Sequence, residues 1–106
     1  MGENMKWRLA LGVSLSLAML STSAMADDGA TMFVQKCGTC HVKGGQAAPV
    51  NPADKASIVW NKFFKRGRHK VDFSQTISVD DLQVIVKYLK DHAADSDQPA
   101  VAVIPR

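Results

Sequence analysis

Two cysteines and a histidine, in the stretch Cys37-Gly38-Thr39-Cys40-His41, have a spacing that points to chemistry. A cysteine pair two residues apart, with a histidine directly after it, is the attachment pattern of a c-type haem. Each thiol can add to one vinyl group of the porphyrin, and the adjacent imidazole can then reach the iron from one face. The sequence therefore predicts one covalent haem c, with thioethers to Cys37 and Cys40 and with His41 as the first axial ligand.

The cysteine pair has two other interpretations, a redox dithiol and half of a zinc site. A thioredoxin-like dithiol belongs to a βαβ unit, and no such pattern is found in this sequence. A four-ligand zinc site needs a second pair of ligands at suitable spacing, and the remaining histidines, His69 and His92, are far apart in the sequence. Haem attachment is therefore the preferred interpretation.

The start of the chain has the pattern of a secretory signal peptide. Lys6 and Arg8 precede an apolar run at residues 9–20, and a small-x-small site ends at Ala26. A membrane-spanning helix needs about 20 apolar residues, so an uncleaved anchor is the less favoured alternative. A signal peptide at residues 1–26, cleaved after Ala26, predicts export to the periplasm.

The remaining residues form one small domain. A chain of this size buries little apolar surface, and the two cysteines of the motif leave none for a disulfide. We expect the haem to form the centre of the core and the haem-free chain to fold poorly. The predicted organisation is a signal peptide at 1–26, a haem domain at 27–94 and an extended tail at 95–106 that lies on the surface or frays.

Three helices are expected to surround the haem. The first, from about Asp28 to Cys37, delivers the attachment residues and places Phe33 on the same face as Cys37. The second starts at Asn51-Pro52-Ala53-Asp54, with Asn51 as its cap, and Gly67 is its natural stop.

The third helix has the clearest pattern and runs from about Val79 to His92. Ser78 is its cap, with Asp81 three residues on. An apolar stripe at helical spacing follows, made of Leu82, Ile85, Val86 and Leu89. The predicted fold class is therefore all-α.

Two further residues are expected to serve the haem. A metal-bound histidine normally donates its second ring N–H to an acceptor, and the carbonyl of Pro49 or of a neighbour is the candidate partner of His41. The alternative is that Pro49 only rigidifies the loop. Trp60 is expected either to donate its indole N–H to a haem propionate or simply to pack in the core.

The order of these features resembles that of the class I cytochromes c over nearly all of residues 28–92. The resemblance rests on an aromatic residue four positions before the first cysteine, the CxxCH motif, a Gly/Pro loop, a middle helix and a capped last helix with a Tyr-Leu pair. It implies a compact all-α fold whose first and last helices cross, here through Phe33 against Tyr88 and Leu89. It also implies one-electron transfer.

The chain departs from this family at the second axial ligand, which is usually a methionine in the loop before the last helix. This chain has no methionine after Met32, which lies on the helix of the cysteines and is badly placed for the opposite haem face. The corresponding loop carries His69, nine residues before Ser78, and we predict His41/His69 ligation. His92, placed to complement the dipole of the last helix, and a vacant or water-bound position are the alternatives.

Bis-histidine ligation predicts a lower reduction potential than His/Met ligation and suits an electron carrier. The chain also resembles the monohaem shuttles of bacterial iron oxidation, which implies redox partners such as a multihaem outer-membrane complex and an inner-membrane cytochrome. The alternative function is a gas-binding or sensor haem whose His69 dissociates, helped by Gly67. Catalysis is not expected, because no distal acid–base group other than the ligand is evident.

A basic cluster flanks the proposed ligand and consists of Lys62, Lys65, Arg66, Arg68 and Lys70. It is expected either to steer an acidic redox partner or to be a solvated face. Nucleic-acid binding is not expected, because the chain is exported and the basic stretch is short. We further expect a monomer with no stable membrane insertion.

Overall fold

The computed structural model describes residues 28–106, so the predicted signal peptide lies outside the described residues. This part of the chain forms three α-helices, α1 (Asp28–Cys37), α2 (Ser57–Lys65) and α3 (Val79–Asp91), and one 3-10 turn at Pro52–Asp54. Residues 28–106 contain no β-strand, only an isolated bridge between His41 and Ala47. The prediction of an all-α class is confirmed at this level for residues 28–106.

The first and last helices pack against each other. Phe33 on α1 and Leu89 on α3 are each 1% exposed, and the Phe33 and Tyr88 ring centroids lie 5.8 Å apart. A Cβ atom at Gly29 would lie only 2.8 Å from the Cβ of Tyr88, so the glycine allows the two helices to come this close. The predicted contact of Phe33 with the last helix is confirmed, and the role of Gly29 was not predicted.

Helix α3 begins at the predicted cap. The hydroxyl of Ser78 accepts the backbone N–H of Asp81 at 3.1 Å, which satisfies one of the free donors of the first turn. Ile85 and Leu89 of the predicted stripe are buried and Leu82 is half-buried. The helix ends at Asp91, one residue before the predicted end.

The prediction of one continuous helix from Pro52 is wrong. The 3-10 turn ends at Asp54, Lys55 is extended with φ −138° and ψ 157°, and α2 starts only at Ser57. In a continuous helix the Pro52 carbonyl would accept the N–H four residues on. Here it accepts the Trp60 indole N–H at 2.8 Å, and α2 starts anew with the N–H of Ser57 donating to the carboxylate of Asp95 at 2.8 Å.

Asn51 is the N-cap residue as predicted, but of the 3-10 turn with Pro52 directly after it, and its side chain makes no cap hydrogen bond. Asn51 is fully buried, its Nδ2 donates to the Ile104 carbonyl at 3.0 Å, and its Oδ1 accepts the Ile104 N–H at 2.8 Å. The Asn51 N–H instead donates to the Asp54 carboxylate at 2.9 Å. The Asn51 side-chain amide therefore links the start of the 3-10 turn to the C-terminal tail.

The tail is docked at its far end and does not fray there. The Ile104 side chain is 3% exposed, and Arg106 forms an ion pair with Asp54. The tail thus contributes to a small core that draws on all three helices, the loop before α3 and the tail itself. Its buried apolar side chains are Phe33, Trp60, Ile77, Ile85, Leu89, Ala93 and Ile104.

None of the helices within residues 28–106 is both long enough and apolar enough to cross a bilayer.

Candidate metal centre

The two histidines predicted as axial ligands come together in space. The ring centroids of His41 and His69 lie 6.0 Å apart, and the ring planes are inclined by 64°. A metal ion bonded at about 2 Å to one nitrogen of each of two imidazoles on its opposite sides holds the ring centres roughly 6 Å apart. The separation of the two rings therefore fits a single metal ion between them.

Both rings are oriented by backbone carbonyls. Nδ1 of His41 lies 2.7 Å from the carbonyl oxygen of Ala48, and Nδ1 of His69 lies 2.7 Å from that of Val71. A carbonyl only accepts, so each Nδ1 carries a proton, which leaves Nε2 of each ring as the nitrogen that could bind a metal. This is the usual arrangement of metal-bound histidines, in which the second nitrogen donates to a carbonyl or carboxylate.

The acceptor for His41 belongs to the residue before Pro49. The prediction allowed Pro49 or a neighbour, and the structure places the Ala48 carbonyl, not that of Pro49, at the ring. The loop that carries this carbonyl folds back on the motif, with Ala47 N–H donating to the Cys40 carbonyl at 3.0 Å. The second option of the prediction, a neighbour of Pro49, therefore describes the acceptor, and Pro49 itself follows the bonded peptide in the loop.

The turn at the end of α1 brings the three motif residues together. Cys37 ends the helix, and its carbonyl accepts the N–H of Cys40 at 3.3 Å and that of His41 at 2.9 Å. The two thiols are free, Cys37 half-buried and Cys40 exposed. Burial raises the pKa of the Cys37 thiol to about 11, so an unattached Cys37 is neutral in this fold at physiological pH.

The end of α2 directs the chain towards the second histidine. Gly67 has φ +60°, in the left-handed region that glycine adopts without strain, and the next N–H, of Arg68, donates to the Phe63 carbonyl at 3.1 Å. The predicted helix stop at Gly67 is confirmed. Reversal of the chain at this point places His69 beside the last turn of α2.

Two phenylalanines flank the His69 ring. The Phe73 ring lies 4.8 Å away at 73°, and the Phe63 ring lies 6.5 Å away at 89°. Neither side chain was predicted to serve the site. Phe63 lies within the predicted second helix, and Phe73 lies in a loop without helical or strand period. The one sequence feature that could have indicated Phe73 is its position four residues after His69, the candidate ligand.

Trp60 serves the core. Its indole N–H, the only donor on the ring, is used by the Pro52 carbonyl at 2.8 Å, and the side chain is 3% exposed. Of the two predicted roles of Trp60, core packing describes the residue in this structure, where the indole N–H has an acceptor other than a propionate.

The rival ligand His92 lies elsewhere. Its Nδ1 bonds the Gln98 carbonyl at 2.8 Å, and its ring lies 4.8 Å from that of Tyr88. It lines an open polar groove of about 680 Å³ that also includes Ser57 and Asp95. Within residues 28–106 His92 contacts the tail and α3, whereas the ring of His69 lies near that of His41.

The donor set fits a haem better than a bare metal ion. Within the described part of the chain, no group of three or more His, Cys, Asp or Glu side chains is placed to hold a metal. His41 and His69 alone cannot complete a four-ligand zinc site. A porphyrin brings four in-plane nitrogens and requires only axial ligands from the chain, and two cysteines precede His41 at the attachment spacing.

Comparisons with known proteins leave the family open. No protein-family model matches this chain, and no significant match was found among curated proteins or solved structures.

Proposed function

We propose that this protein is a periplasmic one-electron carrier of the class I cytochrome c type. A single haem c would be attached through Cys37 and Cys40, with His41 and His69 as its axial ligands. The observation that carries the proposal is the pairing of the two imidazoles at 6.0 Å, each with its Nδ1 held by a carbonyl. Export follows from the predicted signal peptide.

A bound haem supplies an iron that accepts and releases one electron. The chain supplies the two nitrogen ligands, and the carbonyls of Ala48 and Val71 accept their Nδ1 protons. Such hydrogen bonds raise the basicity of the ligands and favour the oxidised metal. Because imidazole replaces the softer methionine sulfur, we propose a reduction potential below that of a His/Met cytochrome c.

The surface around His69 favours acidic redox partners. The basic cluster is exposed, and Arg68 and Lys70 are the immediate neighbours of the ligand. Positive charge at this position would steer partners with negative docking surfaces towards the site. We propose periplasmic redox proteins as partners, of the kind that link a multihaem outer-membrane complex to an inner-membrane cytochrome.

Mass spectrometry and low-temperature EPR of the purified, haem-loaded protein test the proposal. We expect one covalent haem, a low-spin iron and no sulfur-to-iron absorption band. His69→Ala should make the iron high spin, and the matched variant His92→Ala should leave it low spin. Absence of covalent haem, or a high-spin iron in the unmodified protein, would refute the proposal. The reverse behaviour of the two variants would assign the ligand to His92.

A second candidate function is a gas-binding or sensor haem whose His69 dissociates on reduction. It is favoured by Gly67, whose left-handed conformation starts the ligand loop and allows backbone movement there. Exposure of the reduced protein to CO separates the two functions. An unchanged absorption spectrum supports the carrier, and rapid formation of an adduct supports the sensor.

A further inference from the structure

The orientation of the His69 ring is not determined by its own covalent geometry. Rotation of a histidine ring about its last side-chain bond is broad and roughly two-fold, so neighbouring atoms decide where the ring plane lies. In this structure the His69 plane is turned by 64° from that of His41. The two proposed ligand planes are therefore crossed rather than parallel.

Two aromatic side chains restrict that rotation. Phe73 and Phe63 stand edge-on to the His69 ring, at 73° and 89°, an arrangement that aromatic pairs favour. The hydrogen bond to Val71 fixes one nitrogen of the ring but comes from the same short loop. The phenylalanines approach from α2 and from the turn that precedes α3.

Both phenylalanines are held on ordered parts of the fold. The Phe73 carbonyl accepts the N–H groups of Thr76 and Ile77, each at 2.9 Å, and Ile77 is buried. Phe63 lies in α2 and is half-buried, yet within residues 28–106 it is not among the side chains that pack against the core cluster. Its aromatic contacts are with Phe64 and His69, and the Lys55 ammonium lies 5.7 Å from its ring centroid. A half-buried phenylalanine that contacts the ligand rather than the core points to a role at the site.

We infer that Phe73 and Phe63 are positioning residues that hold the distal imidazole crossed against the proximal one. This inference rests on the proposed function, because it concerns the ligand field of a bound iron. Each imidazole interacts most strongly with the iron d orbital perpendicular to its own plane. Crossed rings therefore act on different orbitals and leave the two nearly equal in energy, whereas parallel rings separate them.

EPR spectroscopy of the haem-loaded protein reads this difference directly. We expect the unmodified protein to give the low-spin spectrum with one dominant large g value that is typical of crossed imidazoles. Phe73→Leu removes an edge-on ring and should shift the spectrum towards the rhombic pattern of nearly parallel rings while the iron stays low spin. Phe73→Tyr keeps an aromatic ring and should restore the original spectrum.

Two further variants separate positioning from general loosening of the fold. Phe64→Leu makes the same chemical change at a residue whose ring pairs, within residues 28–106, are with Trp60, Phe63 and Phe73, and it should leave the g values unchanged. Phe63→Leu provides an independent test from α2 if the Phe73 variant does not fold, and it should also shift the spectrum.

The outcomes distinguish this inference from the proposed function. A low-spin spectrum that is unchanged in both Phe73→Leu and Phe63→Leu overturns the inference alone, since the Val71 bond would then suffice to fix the ring. The same shift in Phe64→Leu also overturns it. A high-spin or haem-free unmodified protein overturns the proposed function and the inference together.

Discussion

Asn51 and Ile104 exchange two hydrogen bonds across 53 positions of sequence. The side-chain amide donates to the Ile104 carbonyl and accepts the Ile104 N–H, so one buried residue satisfies both backbone groups of another. Because Asn51 has no exposed surface, water cannot replace these bonds while the tail stays docked. The docked tail therefore depends on a polar contact inside the core as well as on the apolar Ile104 side chain.

We predict that Asn51→Ala destabilises the haem-loaded protein by about 2–4 kcal/mol, since it leaves two buried backbone groups without partners. Thermal unfolding followed by circular dichroism should show a lower Tm, by roughly 4–8 °C for each kcal/mol lost. Asn61→Ala, which makes the same change at an exposed position on α2, serves as the control. Equal Tm values for the two variants would contradict the role given to Asn51.

Gly29→Ala should separate α1 from α3. A methyl group at this position would lie 2.8 Å from the Tyr88 Cβ, so one helix must shift. We predict a loss of about 1–3 kcal/mol from overpacking, although alanine is the better helix former. The loss would be measured by denaturant unfolding, with Thr31→Ala on the exposed face of α1 as the control. A Gly29→Ala variant as stable as the unmodified protein would show that the helices approach less closely than described.

Tyr88 should titrate above its ordinary range. Partial burial raises the pKa of its phenol, so folding favours the neutral form. The neutral phenol therefore contributes to the free energy of unfolding. This contribution is complete at pH values below the pKa of the phenol in the unfolded chain, about 10, and it is lost as the pH rises through the higher pKa in the folded chain. Tyr88 is the only tyrosine of the chain, so one ring-carbon NMR signal follows the titration. We expect a midpoint above 10 in the native protein and near 10 in urea, and coincident midpoints would contradict the prediction.

The basic cluster should accelerate reactions with anionic redox reagents. We predict that the combined variant Lys65→Gln, Arg68→Gln, Lys70→Gln slows oxidation of the reduced protein by ferricyanide at low salt, several-fold, and weakens its salt dependence. The rate would be measured by stopped-flow absorption. Lys87→Gln, which removes a charge paired with Asp91 on α3, is the control. A triple variant no slower than this control would mean that the cluster is only a solvated face.

Local patterns predicted the parts of the fold that local interactions determine. The α1 bounds, the Ser78 cap and the Gly67 stop each depend on residues within one or two turns, and each is confirmed. The His41 and His69 pairing was also anticipated, because it followed from a motif with a fixed chemical meaning and from the position of the ligand loop.

The predictions that differ from the structure concern side chains whose partners come from other parts of the fold. Asn51 has the residue type of a helix cap, but the Ile104 backbone engages its side chain. The indole N–H of Trp60 was a candidate donor to a propionate, but it donates to the Pro52 carbonyl. That carbonyl is therefore bonded to a side chain and not to the backbone of a continuous helix. Phe73 has no periodic pattern, and its place beside His69 depends on how the whole loop folds. The contacts of Asn51 and Trp60 are not visible in the sequence, and for Phe73 the sequence offers only its spacing from His69.

The docking of Ile104 onto Asn51 also affects the order of events after synthesis. If the chain is exported unfolded and receives a haem, as proposed above, the CxxCH segment would emerge well before Ile104, and the core would stay open for that interval. During it the Cys37 thiol would lack the burial that raises its pKa in the finished fold. Late closure at Asn51 would then leave both thiols open to attachment, although only Cys40 is exposed in the folded chain.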